Sequence, residues 1–156
     1  MSFLERVKST ERLCILMEVK GSCLCGTVTI DIPQVAEEIT VCHCHMCQKF
    51  FGGPFLSLAG VLPDDFKISG KEQIQLFMSS EWAERGSCKK CGSSLFYHSL
   101  ADDEYYFPAG LFDEIDQAKL KEEIFYDQKP AFFHYQEPTE KLTEEAFLQK
   151  LFTDSE

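Results

Sequence analysis

The chain has 156 residues, with 26 Asp and Glu against 15 Lys and Arg, and a formal net charge of −11. That length suits one domain with a core of its own. A composition of 44% hydrophobic and 26% charged residues excludes a disordered, collagenous or coiled-coil chain. An acidic balance of this size repels phosphate backbones and anionic membrane surfaces. Lys89-Lys90 is the only adjacent basic pair, so neither nucleic acid nor a membrane is an expected partner.

In chain order, residues 1–16 read as a polar N-terminal extension with room for a short helix, and 17–156 as a single domain. Met17 is a candidate domain boundary or alternative translation start. The apolar run Leu13-Cys14-Ile15-Leu16-Met17 is far short of the roughly 20 residues of a membrane span. It is also short of a secretory core of about 7–15 residues. The expected location is therefore cytoplasmic. In a reducing compartment, clustered cysteines are metal ligands or catalytic thiols more often than disulfides.

From Val28 the sequence alternates, with Val28, Ile30 and Ile32 apolar and Thr27, Thr29 and Asp31 polar. That is a half-buried strand, and Pro33 is expected to end it. Ile39–Val41, Phe55–Ala59, Phe66–Ser69, Gln73–Met78, Ser94–His98 and Tyr105–Ala109 are further strand candidates. Turn signals such as Gly52-Gly53-Pro54 and Pro63-Asp64-Asp65 separate them. Many short strands at this spacing predict a mainly β domain of antiparallel hairpins. At the end, Thr143 can cap a helix over about 143–152, with Glu144 and Glu145 in its first turn. Phe147, Leu148, Leu151 and Phe152 form one stripe, expected to pack on the sheet.

The cysteines carry the chemical information. Cys88-Lys89-Lys90-Cys91-Gly92 has the form of a zinc knuckle, whose glycine permits a positive φ and leaves its N–H near a thiolate. A knuckle supplies two ligands and a closed site takes four. Cys23 and Cys25, on one side of an extended segment, can complete it. Cys23, Cys25, Cys88 and Cys91 are therefore the expected structural zinc site, with binding energy that is also folding energy. Cys42, Cys44 and Cys47 then form a three-thiolate pocket with one open position, the arrangement zinc uses for catalysis. Cys44 is the expected catalytic residue. The alternatives are closure of the trio by His43, His45 or His98 into a second structural site, or a set of unmetallated redox thiols. An extended segment would point His43 and His45 away from the sulfurs. His98 and His134 read as hydrogen-bonded, partly buried histidines, Cys14 as an ordinary thiol, and Gly52-Gly53 as a turn.

These residues also resemble a family. Gly-Ser-Cys-x-Cys-Gly at 21–26, Cys-His-Cys-x-x-Cys at 42–47 followed by Gly52-Gly53, and Cys-x-x-Cys-Gly-Ser at 88–93 are similar to the motifs of the glutathione-dependent formaldehyde-activating enzymes, or centromere protein V domains. Ala109-Gly110-Leu111-Phe112-Asp113 resembles a segment downstream of that family's knuckle. The resemblance implies an Mss4-like zinc-stabilised β domain with short flanking helices. It implies two Zn2+ sites, one structural on Cys23, Cys25, Cys88 and Cys91, one labile on Cys42, Cys44 and Cys47. It implies a carbon–sulfur lyase that joins or cleaves glutathione, or a similar thiol, and formaldehyde or another small aldehyde. Gln48 stands where many relatives carry a basic residue, and Lys49, Lys89 and Lys90 are candidate partners for an anionic thiol. A non-catalytic binding or scaffold protein of the same fold is the competing reading, and a methionine sulfoxide reductase a more distant one. The oligomeric state stays open, a homo-oligomer included.

Overall fold

Strand-forming alternation gives way to strands wherever a face can be buried. The computed structural model describes residues 15–154 and is mainly β. Cys14 and most of the expected N-terminal extension lie outside the described residues. The strands are β1 (Leu16–Ser22), β2 (Thr29–Ala36), β3 (Glu38–Cys42), β4 (Phe55–Leu58), β5 (Lys67–Ser69) and β6 (Ile74–Met78). They continue as β7 (Ala83–Cys88), β8 (Ser94–Ser99), β9 (Glu104–Tyr106), β10 (Lys119–Ile124) and β11 (Glu140–Leu142). Two α-helices accompany them, α1 (His45–Phe51) and α2 (Glu144–Asp154).

Three sheets result, in the orders β1-β2-β5, β11-β10-β3-β4 and β6-β7-β8-β9. The first and third are antiparallel. The second departs from the expected hairpins, because β10 runs parallel to both β3 and β11. Parallel neighbours need a crossover, and here it spans the whole third sheet. Buried Val19, Val28, Ile30, Ile32, Val35, Leu58, Leu95 and Phe107 form the main core. Rings extend it: Phe66 and Phe96 lie 5.1 and 6.2 Å from Phe107, in edge-on geometry.

Several expectations are corrected. Pro33 does not end its strand, since β2 continues to Ala36. The pairing with β1 shifts between Val19↔Ile32 and Met17↔Val35, so Pro33 falls at a bulge, where its missing N–H disturbs no ladder. The last strand candidate is shorter than read, ending at Tyr106 before a 3₁₀ turn at Ala109–Leu111. Helix α2 begins as expected, with Thr143 Oγ1 accepting from Ala146 N–H at 3.1 Å. Its stripe is not core: Phe147 alone of the four is half-buried, 5.6 Å from the Phe125 ring, while Leu148, Leu151 and Phe152 are exposed. The helix thus docks by its first turn. His134 is exposed instead of partly buried. His98 is hydrogen-bonded as read, between Glu84 at 2.9 Å and Asp103 at 2.7 Å.

Candidate metal centres

Turns, not extended segments, bring the first four sulfurs together. After β1 the chain bends at Cys23–Gly26, where Gly26 has φ +78° and donates its N–H to Cys23 O at 3.0 Å. After β7 the same device recurs: Gly92 has φ +78° and donates to Cys88 O at 2.9 Å. The knuckle glycine therefore serves the turn, and its N–H goes to a carbonyl, not to a thiolate. The Sγ atoms of Cys23, Cys25, Cys88 and Cys91 all lie within 4.8 Å of one another. The group joins the first sheet to the third across 63 residues of sequence. Small polar groups surround it. Val28 N–H donates to Cys23 Sγ at 3.3 Å, and Leu24 N–H to Ser93 Oγ at 3.0 Å. The Ser93 hydroxyl and N–H pull the Cys91 thiol down to about 5, and Thr27 lowers Cys25.

The second group forms where β3 passes into α1. Cys42 ends the strand, and Cys44 is the helix N-cap, with Sγ accepting from Cys47 N–H at 3.2 Å. Cys47 lies in the first turn of α1, so the expected turn is a helix. Gly52, at φ +78°, caps its other end by donating to Gln48 O at 2.9 Å. The three Sγ atoms lie within 4.8 Å of one another, and Cys42 and Cys47 are buried. Among the described residues, no histidine, aspartate or glutamate ligand atom joins them.

Buried side chains fix this trio from behind. His43 is fully buried and its Nε2 lies 2.8 Å from Glu123 Oε1. The Glu123 carboxylate also accepts from the Thr139 hydroxyl. Burial pushes Glu123 up, but the Thr139 and His43 hydrogen bonds outweigh it and hold the carboxyl below its ordinary value. Gln48 Nε2 donates to His43 O and Gln128 O. It is thus a backbone brace.

On the other side stands Arg85, 2% exposed, with both terminal nitrogens 3.7 Å from Cys47 Sγ. Its Nε donates to Ser79 Oγ at 3.1 Å, and Tyr97, Phe50 and Phe51 present their rings to it at 4.9, 5.4 and 5.9 Å. Hydrogen bonding from the Cys42 and Cys47 thiols, with Arg85 adding to it, brings Cys44 down to about 3. Those same contacts raise Cys42. Cys42 draws Cys47 down, but Cys44 and burial win and push it up to about 11.

All-sulfur donor sets suit a soft or borderline ion such as zinc and not magnesium or calcium. Four sulfurs make a complete tetrahedron, and three make an incomplete one. The model of the glutathione-dependent formaldehyde-activating enzymes matches residues 18–128. The chain belongs to that family. Its fold and its cysteine groups agree with the membership. It is similar to an uncharacterized lyase of Schizosaccharomyces pombe, 24% identical over 135 residues, covering 86% of this chain and 97% of that protein. A crystal structure of a Rhodobacter sphaeroides protein has the same fold, with a TM-score of 0.52 at 22% identity, over 65% of this chain and 96% of the other.

An uncharged groove of about 360 Å³ runs past Phe51, Pro54, Phe55, Ser93 and Leu111. Phe51 and Phe55, whose rings stack at 3.9 Å, also pack against Cys42 and Cys47. A larger hollow of about 460 Å³ on the first sheet is lined by Glu18, Asp31, Asp64 and Lys67 among others; neither hollow is lined by a cysteine, and the groove reaches the trio through Phe51 and Phe55 and the quartet through Ser93.

The structure thus gathers all seven cysteines of the described residues into the two groups expected. It leaves His45 and His98 out of both and sets His43 against Glu123. Sequence reasoning missed Arg85, Glu123 and the bracing role of Gln48. The signal for Arg85 was present. It sits three residues before Cys88, on a strand that runs into the knuckle, in a stretch buried at Ala83, Arg85, Gly86 and Cys88. Lys89, a candidate for charge compensation, instead reaches Glu72 O.

Proposed function

We propose that this protein is a zinc-dependent carbon–sulfur lyase that joins or cleaves glutathione, or a similar small thiol, and formaldehyde or another small aldehyde. The observation that carries this reading is the trio: three braced sulfurs, two on buried residues and one on a half-buried residue, with no further protein donor among the described residues, near an uncharged groove. Cys42, Cys44 and Cys47 would hold the working zinc, and Cys23, Cys25, Cys88 and Cys91 the structural one. Zinc at the trio supplies one thing, a preference for the thiolate form of a thiol that reaches it.

The rest falls to the chain. Phe51 and Tyr97 pack against Cys42 and Cys47 and, with Phe50, cover the Arg85 guanidinium, so charge there is weakly screened. The groove holds the two reactants against each other, which turns a bimolecular encounter into a local one. In the joining direction the sulfur–carbon bond forms and the carbonyl electron pair moves to oxygen. That oxygen takes up a proton, and the thiol has given one up, so solvent sees no net change.

The test is the rate at which thiol and formaldehyde form adduct. With the zinc-loaded protein it exceeds the buffer blank, and Cys44→Ser returns it to the blank. Equal rates with and without wild-type protein would leave a zinc-stabilised scaffold as the better reading.

A further inference from the structure

A buried guanidinium is costly unless an anion compensates it. Arg85 is 2% exposed, and among the described residues no carboxylate lies within ion-pair distance of it. Its charge is directed at sulfur: both terminal nitrogens lie 3.7 Å from Cys47 Sγ. Three rings cover its faces, so the interaction acts where water screens little. Ser79 fixes the remaining Nε at 3.1 Å, which sets the direction of the fork.

The charge count then distinguishes ligands. Three thiolates around a divalent ion carry one net negative charge, and Arg85 cancels it. A neutral fourth donor leaves that balance at zero. A thiolate makes it minus one with Arg85 present, and would make it minus two without it. Two uncompensated charges in a ring-lined, half-buried site are strongly disfavoured. Removing Arg85 therefore weakens an anionic visitor and hardly affects a neutral one.

We infer that Arg85 is a specificity-determining residue: it lets the cysteine trio admit an anionic sulfur as a fourth donor in preference to a neutral nitrogen or oxygen. The inference rests on the reading of the trio as the working metal site. It adds that the thiol partner is selected at the sulfur by a buried cation, and not at the surface by Lys49, Lys89 or Lys90. A thiol entering the site would lose its S–H proton to solvent as its sulfur takes up the fourth donor position, with no change of oxidation state.

The experiment uses the full chain with cobalt(II) at the trio, titrated separately with 2-mercaptoethanol and with imidazole. Sulfur-to-cobalt absorption reports thiol binding, and the d–d bands report imidazole. In Arg85→Met the ratio of thiol to imidazole affinity falls about tenfold or more, the scale of an outer-shell partner's loss. Arg85→Lys, which keeps the charge and loses the fork, falls by less. If Arg85→Met does not fold, Arg85→Gln against Arg85→Lys decides, with the ratio lost in the first and largely kept in the second. An unchanged ratio in every variant that loses the charge overturns the inference, as does a wild-type protein that takes up no thiol. Wild-type protein that binds thiol with the predicted dependence on Arg85, yet does not accelerate adduct formation, supports this inference and defeats the enzymatic reading. Catalysis with an unchanged ratio does the reverse.

Discussion

The two cysteine groups use the same atoms in opposite surroundings. The quartet is built from two turns, with Cys23 and Cys88 buried, Cys91 half-buried and Cys25 exposed. Hydroxyls and backbone N–H groups supported by two left-handed glycines neighbour its sulfurs. The trio is built from a strand end and a helix start, with two of its sulfurs buried, and its neighbours are a guanidinium, a buried histidine–glutamate pair and aromatic rings. A group that only ties sheets together needs four donors and a turn at each end. A group that must accept a visitor needs a rigid back wall and a balanced charge, and that costs buried polar residues. On the proposed reading, the difference in surroundings, more than the difference in donor number, would separate clamp from working site.

The largest expected effect breaks the clamp. Cys88→Ser removes one of four donors from a site whose metal-binding energy is folding energy, about 10–16 kcal/mol for structural zinc peptides against about 5–15 kcal/mol for a whole domain. Soluble folded protein is lost, as read by yield and circular dichroism. Cys44→Ser is different. Serine is itself a good N-cap, so helix α1 keeps its start and the fold survives, while thiol–aldehyde turnover drops to the buffer rate. Loss of folding in both variants to the same extent would erase the distinction.

A smaller effect tests the back wall. Glu123→Ala leaves His43 buried without its partner, and the thermal or denaturant midpoint drops by about 3–5 kcal/mol equivalent. The sign with pH is fixed by the lowered carboxyl of Glu123. Its contribution is present above the ordinary glutamate pKa and is lost as pH falls through the native value. The stability gap between wild type and Glu123→Gln therefore narrows on acidification. A gap that widens would contradict the assigned ionisation.

The smallest effect concerns a residue far from both groups. Leu151 is 48% exposed, so Leu151→Gln shifts stability by less than about 0.5 kcal/mol in a melting experiment. A cost of several kcal/mol would restore the stripe of α2 to the core.

What could be read from the sequence followed from local rules. Cysteine spacing paired the quartet and set the trio apart, alternation gave β2, and Thr143 marked the start of α2. What could not be read depended on partners distant along the chain. Helix α1 was hidden because seven residues rich in Cys, Phe and His carry no clean period. The parallel pairing of β10 with β3 was hidden because four of the six residues of Lys119–Ile124 are charged, and its buried Glu123 finds His43 only across 80 residues. Arg85 was not singled out because nothing local shows that its strand passes a cluster of thiols 38 residues away. Leu148, Leu151 and Phe152 misled in the other sense, since periodicity reports what a helix face offers and not what covers it.

The most direct measurement follows zinc content and folded fraction together during exposure to a chelator. The account predicts two zinc ions per chain at the start. The first to leave takes the thiol–aldehyde activity with it while the fold stays intact, and the second takes the fold. Loss of both ions in one step, or unfolding with the first, would contradict the division between clamp and working site.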